Sequence, residues 1–174
     1  MTTSDSILVT DFTAGSALEW IAVNDNVMGG RSRGGPVPHD GFLEFTGATN
    51  TQGGGFSSTR TAGTTFDLSE YDALWLRVLG DGRTYRGELR TDVTFRGRGV
   101  VYRAEFATDG TWQEIVLPFE SFWASSRGRD VRRLVEPLDL LRIRSVGLMI
   151  YDGLDGPFRL EVDEIRAVKL LPKE

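Results

Sequence analysis

The stretch Val100-Val101-Tyr102-Arg103-Ala104-Glu105-Phe106 puts Val100, Tyr102, Ala104 and Phe106 on one side of an extended chain and Val101, Arg103 and Glu105 on the other. Successive side chains of a strand point to opposite faces, so the segment reads as a strand with one face for a core and one for water. The same alternation recurs in residues 73–79, where Leu74, Leu76 and Val78 share a face. It recurs again where Phe158, Leu160 and Val162 alternate with Arg159, Glu161 and Asp163. Further strands are expected at residues 7–12, 18–23, 42–46, 85–91, 113–117, 146–151 and 165–170, ten in all. Between them lie Gly53-Gly54-Gly55, Gly80-Asp81-Gly82, Asp109-Gly110 and Asp152-Gly153, the residue types of tight connections. Helical periodicity is confined to short turns around residues 118–123 and 131–141. No repeat of fixed period appears, so the pattern predicts an all-β, two-sheet jelly roll rather than a propeller.

The 174 residues suffice for one core without disulfides or a structural metal, and the expected organisation is a flexible N-terminus, residues 1–6, followed by a single β-sandwich domain over residues 7–171. No apolar run approaches the roughly 20 residues of a membrane helix. Residues 1–6 are polar and carry neither secretory nor transit character, so a cytoplasmic location is expected. With no cysteine, thiolate zinc sites and cysteine nucleophiles are excluded. The single histidine, His39, lies in Pro36-Val37-Pro38-His39-Asp40-Gly41, which reads as a turn, so a multi-histidine metal site is excluded too. Net charge is −5, and although residues 77–144 hold thirteen arginines against ten acids, the two signs interleave throughout, so no nucleic-acid partner is predicted.

The most distinctive segment runs from Trp20 through Asn24-Asp25-Asn26-Val27-Met28-Gly29-Gly30-Arg31-Ser32-Arg33 to Gly34-Gly35. It begins as a strand and ends as a loop, in which Asn and Asp bond their own backbone and the glycine pair allows close approach. Met28 is either a core plug or an exposed anchor. The segment is not a phosphate loop, because no Gly-Lys-Ser/Thr follows and no strand-to-helix transition is visible.

This run, followed by Gly53-Gly54-Gly55-Phe56-Ser57-Ser58 and Asp67-Leu68-Ser69-Glu70-Tyr71-Asp72-Ala73-Leu74, resembles the complex I intermediate-associated protein 30 family. Later landmarks keep that family's order: Gly80-Asp81-Gly82-Arg83-Thr84-Tyr85, Trp112-Gln113-Glu114-Ile115-Val116-Leu117-Pro118-Phe119, and Gly156-Pro157-Phe158-Arg159-Leu160-Glu161. The resemblance implies a galactose-binding-domain-like jelly roll. It further implies a non-catalytic assembly factor that binds a protein partner among the subunits of a respiratory or photosynthetic complex. No catalytic residues come with the motif. The residues expected to meet the partner are Asn24, Asp25, Asn26, Met28, Gly29, Gly30, Arg31, Ser32 and Arg33, with the two arginines pairing acidic groups of the client.

Three other chemistries fit some residues. Loop acids Asp25, Asp152 and Asp155 are the residue types of glycoside hydrolysis, although acids beside glycine are commonly turn formers; a serine triad would need His39, near which no Gly-x-Ser-x-Gly elbow lies. A carbohydrate-binding module is the main alternative, since aromatic rings stack on sugars; Trp20, Trp75 and Trp112 fit core positions, which leaves Tyr85 and Trp123 as the expected exposed rings. A structural calcium would draw on Asp11 with Asp163 or Glu164, and needs six or more oxygens where the sequence offers two or three. No other cofactor is expected.

Overall fold

The structure, a computed structural model, describes residues 5–172. Thirteen strands appear among them: β1 (Ser6–Thr10), β2 (Glu19–Asn24), β3 (Arg33–His39), β4 (Phe42–Thr49), β5 (Ser57–Ala62), β6 (Ala73–Leu79), β7 (Thr84–Phe95), β8 (Arg98–Ala107), β9 (Trp112–Pro118), β10 (Trp123–Ser126), β11 (Arg129–Asp130), β12 (Ser145–Ile150) and β13 (Gly156–Val168). They form two antiparallel sheets. The first runs β3-β4-β13-β6-β9, with β1 also on β13; the second runs β11-β10-β8-β7-β12-β5-β2. The all-β jelly-roll class expected from the alternation is the one observed.

The inner faces are those the alternation assigns. Leu74, Leu76, Val78, Phe158, Leu160 and Val162 from the first sheet meet Tyr102, Ala104, Phe106, Leu89, Val146 and Leu148 from the second in one buried cluster. Burying a side chain of this size contributes about 1.5–3 kcal/mol, which is the force that clamps the two sheets together. Trp75 points the other way and joins Ala73, Val116 and Val168 in a small cluster on the outer side of the first sheet.

Four departures from the expected elements have physical causes. The strands expected at residues 158–163 and 165–170 are one strand, β13, broken in register between Val162 and Glu164. Inward Val162 and inward Ile165 are three apart, so an extra residue, Asp163, must bulge out for both to face the core. The Pro36–Gly41 segment is mostly strand: β3 pairs with β4 as far as His39↔Phe42, and only Asp40 and Gly41 turn. Proline is tolerated there because β3 is an edge strand. Strand β5 has no apolar inner face; its inward Ser57, Thr59 and Thr61 are buried, with Thr59 donating to the Ile21 carbonyl and Thr61 accepting from Val146 N–H. The expected helical turns shrink to 3-10 turns at Phe119–Ser121 and Leu140–Arg142.

The expectation of flexibility over residues 1–6 falls partly outside the described residues, but Ser6 already opens β1 and Asp5 holds Lys169 through backbone and side chain.

Candidate functional site

The 24–34 loop is built around Asp25. β2 ends at Asn24, and Asp25–Met28 form one 3-10 turn closed by Gly29, whose φ of 81° is open to glycine without a Cβ penalty. The Asp25 side chain points inward and is fully buried. Its Oδ1 accepts from Ser32 N–H (2.9 Å); its Oδ2 accepts from Gly55 N–H (2.6 Å) and Phe56 N–H (3.3 Å). Burial pushes the carboxyl up, but the Ser32 side chain and the three backbone donors outweigh it and hold it below the usual carboxylate range. Gly30 and Gly54 press against this side chain from two sides, and a Cβ on either would overlap it. Beside it, the Asn24 amide donates to the Gly34 carbonyl (2.9 Å) and its oxygen accepts from the Ser57 hydroxyl. Ser32 is buried, its hydroxyl taking Asn50 N–H (2.9 Å).

The two most distinctive motifs of the chain, residues 24–34 and 53–58, are therefore two halves of one staple. This corrects the expectation for Asp25 and Ser32: both are spent inside the protein, because three unpaired backbone donors claim the carboxylate, and neither can meet a partner. Asn24 is likewise engaged internally. What the staple presents is its tip. Val27 and Met28 are 70% and 63% exposed, so Met28 is not a core plug, and Asn26, Gly29, Arg31 and Arg33 are exposed beside them.

That tip forms one wall of a groove of about 770 Å³ on the outer face of the second sheet. The outer face on which it lies follows from the pairing register, with Arg103, Glu88, Arg90 and Val101 lining the groove itself. Trp123 lies opposite Arg103, Arg103 opposite Glu88, Glu88 opposite Gly147 and Gly147 opposite Arg60. In the neighbouring row Val101 faces Arg90. Phe56, Met149 and Tyr151 join Val27 and Met28 on one side; Arg98, at the start of β8, and Arg127, in the β10–β11 turn, close the other. Arg103 is only 4% exposed, and the Nε of Arg90 and of Arg103 are buried without an acceptor. Burial pushes both guanidinium groups down from their ordinary value and Glu88 opposes this, while Arg60 and Arg103 press Arg90 further down and Arg86 does the same to Arg103. The groove missed by sequence reasoning has one signal in the sequence, the outward Arg103 and Glu88 within alternating strands.

The remaining candidates fall elsewhere. Tyr85 is a correction: it is fully buried between the sheets against Phe45, Phe106 and Phe158, its hydroxyl donating to Asp81 (3.0 Å), because it occupies an inward position of β7. Trp123 is half-buried with Arg103 and Arg132 both 5.4 Å from its ring centre. Trp112, expected in the core, is 43% exposed under Arg77. The calcium trio does not assemble. Asp11 Oδ1 takes the Thr13 N–H and the Thr13 and Ser16 hydroxyls, which hold its carboxyl at about 2; Asp163 pairs with Arg77 (2.9 Å) and Glu164 with Arg166. Among the described residues no three potential carboxylate or histidine ligands come together. Of the hydrolase candidates, Asp152 is held by Arg83 (2.6 and 2.8 Å) and Asp155 accepts from Thr51 N–H (2.6 Å), so both act as loop anchors beside the staple. Among the described residues no helix is long and apolar enough to cross a membrane.

Two antiparallel sheets in a galactose-binding-like jelly roll are a fold class this chain shares with carbohydrate-binding modules. The family 11 module of the cellulosomal cellulase Lic26A-Cel5E of Clostridium thermocellum has a TM-score of 0.71 at 18% identity, covering 98% of both chains. A family 30 carbohydrate-binding module has a TM-score of 0.53 at 16% identity, over 79% of this chain and 73% of that one. Within this class the chain belongs to the complex I intermediate-associated protein 30 family, whose model matches residues 10–162. The mitochondrial complex I intermediate-associated protein 30 of Mus musculus is 32% identical over 172 residues, 84% of this chain and 51% of the relative. Its Drosophila melanogaster counterpart is 31% identical over 131 residues, 72% of this chain and 44% of the relative. The chain thus spans about half the length of the curated relatives it matches.

Proposed function

We propose that this chain is a non-catalytic protein-binding module that holds an assembly intermediate of a redox or membrane complex, with complex I subunits as the first clients to test. The observation that carries the reading is the geometry of the family's signature loop. Asn24, Asp25 and Ser32 are consumed in the staple, and the result is a mount that projects Val27 and Met28 into solvent at the mouth of a groove. Exposed apolar side chains on a pinned loop cost solvation and contribute nothing to the fold, which fits a contact surface. Arg31 and Arg33 extend the same edge. The test is affinity capture from the source cell with native electrophoresis and mass spectrometry. Recovery of subunits of a membrane redox complex supports the reading, and a Val27→Ser, Met28→Ser variant that recovers them undiminished refutes it. The reading includes a cytoplasmic location, and fractionation that finds the chain inside an organelle overturns that part alone.

Carbohydrate binding is a second reading, favoured by the likeness in fold to family 11 modules and by the groove itself. Against it, the rings on this face are paired with cations: Arg86 lies 5.3 Å from the centre of the exposed Tyr151 ring, and two arginines flank Trp123. Calorimetry with a β-1,3-1,4-linked tetrasaccharide decides it; saturable heat would favour the sugar, and none up to millimolar ligand would remove it.

A further inference from the structure

The groove contains a charge imbalance that nothing in the fold resolves. Its lining carries Arg90, Arg98, Arg103 and Arg127 against the single acid Glu88. Arg86 on the same face has its own partner, Glu105 (2.9 Å), whereas among the described residues neither Arg90 nor Arg103 makes an ion pair. Both keep a buried Nε without an acceptor. A desolvated guanidinium left unpaired is strongly unfavourable, and one missing acceptor would satisfy two such groups if it were a bidentate anion. The other half of the groove is apolar: Val27, Met28, Phe56 and Met149. An occupant must therefore bring an anion and hydrocarbon together, and a volume of about 770 Å³ takes several residues rather than a lone ion.

We infer that the groove is a receptor for an acidic, apolar-flanked peptide segment of a partner protein, whose carboxylate is clamped by Arg90 and Arg103 while its neighbouring side chain packs on Val27, Met28 and Met149. Guanidinium forks match carboxylate geometry, and methionine adapts to irregular apolar shapes. A neutral glycan satisfies neither the charge nor the apolar wall. A free phosphate leaves the apolar wall empty. The inference rests on the protein-binding reading above and adds the chemistry of what is recognised.

The test begins with selection of random dodecapeptides on the full chain. The expected pool is enriched at least threefold in Asp or Glu beside Leu, Ile or Phe. One selected peptide is then titrated while the side-chain Nε–Hε resonances of Arg90 and Arg103 are followed by NMR. Both should shift, and the same peptide with Asn and Gln for its acids should bind at least tenfold more weakly. Arg103→Gln should reduce affinity at least tenfold. Because that change touches the buried sheet face, a second variant, Arg98→Glu with Arg127→Asn, alters only exposed positions, the first residue of β8 and the β10–β11 turn, the asparagine tolerating the positive φ of 49° at residue 127; it should weaken binding at least fivefold with the folded spectrum intact. A pool without acidic enrichment overturns the inference, as does a selected peptide indifferent to these variants. So does inorganic phosphate or the tetrasaccharide reproducing the arginine shifts where the peptide does not. If cellular capture recovers a client equally with wild type and the arginine variants, the groove assignment falls and the docking reading stands. If peptides bind as described but capture recovers no client, the docking reading falls and the groove assignment stands.

Discussion

Replacing Asp25 by asparagine changes one carboxylate oxygen into a donor while nearly preserving shape, so it isolates the staple. With the amide nitrogen turned toward Ser32, one charge-assisted hydrogen bond is lost and two donors face each other. Turned toward Gly55 and Phe56, two bonds are lost. The first orientation is cheaper. A hydrogen bond to a charged group contributes about 1.5–3 kcal/mol against about 0.5–1.5 for a neutral one, and a buried donor without a partner costs about 1–3. One lost bond and two weakened ones come to about 3–5 kcal/mol, and relief of burying a charge returns part of that, leaving a net loss of about 2–4 kcal/mol at neutral pH. With a urea slope of about 2 kcal/mol/M for a domain of this size, the unfolding midpoint should fall by about 1–2 M. The carboxyl is held below its ordinary value in the folded state. Its stabilisation is therefore fully present above the unfolded value of about 3.9 and is lost as pH falls through the folded value. The gap between wild type and variant should be widest at pH 6–7 and narrow between pH 4 and 3. Equal midpoints at pH 7, or a gap that does not narrow on acidification, would refute the staple.

Other consequences are simpler to state. Arg83→Met removes the guanidinium that holds Asp152 and also reaches Thr49 and the carbonyls of Leu154, Gly156 and Pro157; it leaves a largely buried carboxylate unpaired, so stability should drop by about 3–5 kcal/mol in chemical denaturation, and a loss under about 1 kcal/mol contradicts the clamp. Tyr85→Phe deletes one hydrogen bond to Asp81 and should cost about 1 kcal/mol. In the wild type, burial pushes the Tyr85 phenol well up and raises that of Tyr102, so the phenolate absorbance rise near pH 10–11 should fall short of the four tyrosines until the chain unfolds. A chelator should leave the melting temperature unmoved, because Asp11, Asp163 and Glu164 each engage a separate protein group and do not converge on one point; a drop of several degrees on chelation would restore the calcium reading.

Legibility followed where each strand finds its partners. Where a strand's inner face is apolar, as in β6 and β8, the alternation alone identified it. Where the inner face is hydroxyl, as in β5, burial is stabilised by hydrogen bonds to strands more than thirty residues away, and local composition cannot reveal it. The phase break at Asp163 was visible as two adjoining strands, but that they form one bulged strand depends on pairing with β6 across the sheet.

The 24–34 loop was found for the right reason and partly misread. Its residue types mark a backbone that needs local hydrogen bonds and tight approach, and that much is written in Asn24-Asp25-Asn26 and Gly29-Gly30. Which way Asp25 points was not, since two of its three backbone donors come from Gly55 and Phe56, some thirty residues away.

The sequence by itself determined an all-β sandwich, the inner faces of its longest strands and the two motifs that meet at the staple, because side-chain parity and glycine placement act over a few residues. Only the tertiary structure decided that those motifs close on Asp25 and that Val27 and Met28 face outward. It alone brought Arg90 and Arg103 beside Glu88 under them. Strands far apart in the chain become neighbours through hydrogen-bond register, and the charge of a groove is a sum over those neighbours that no local stretch contains.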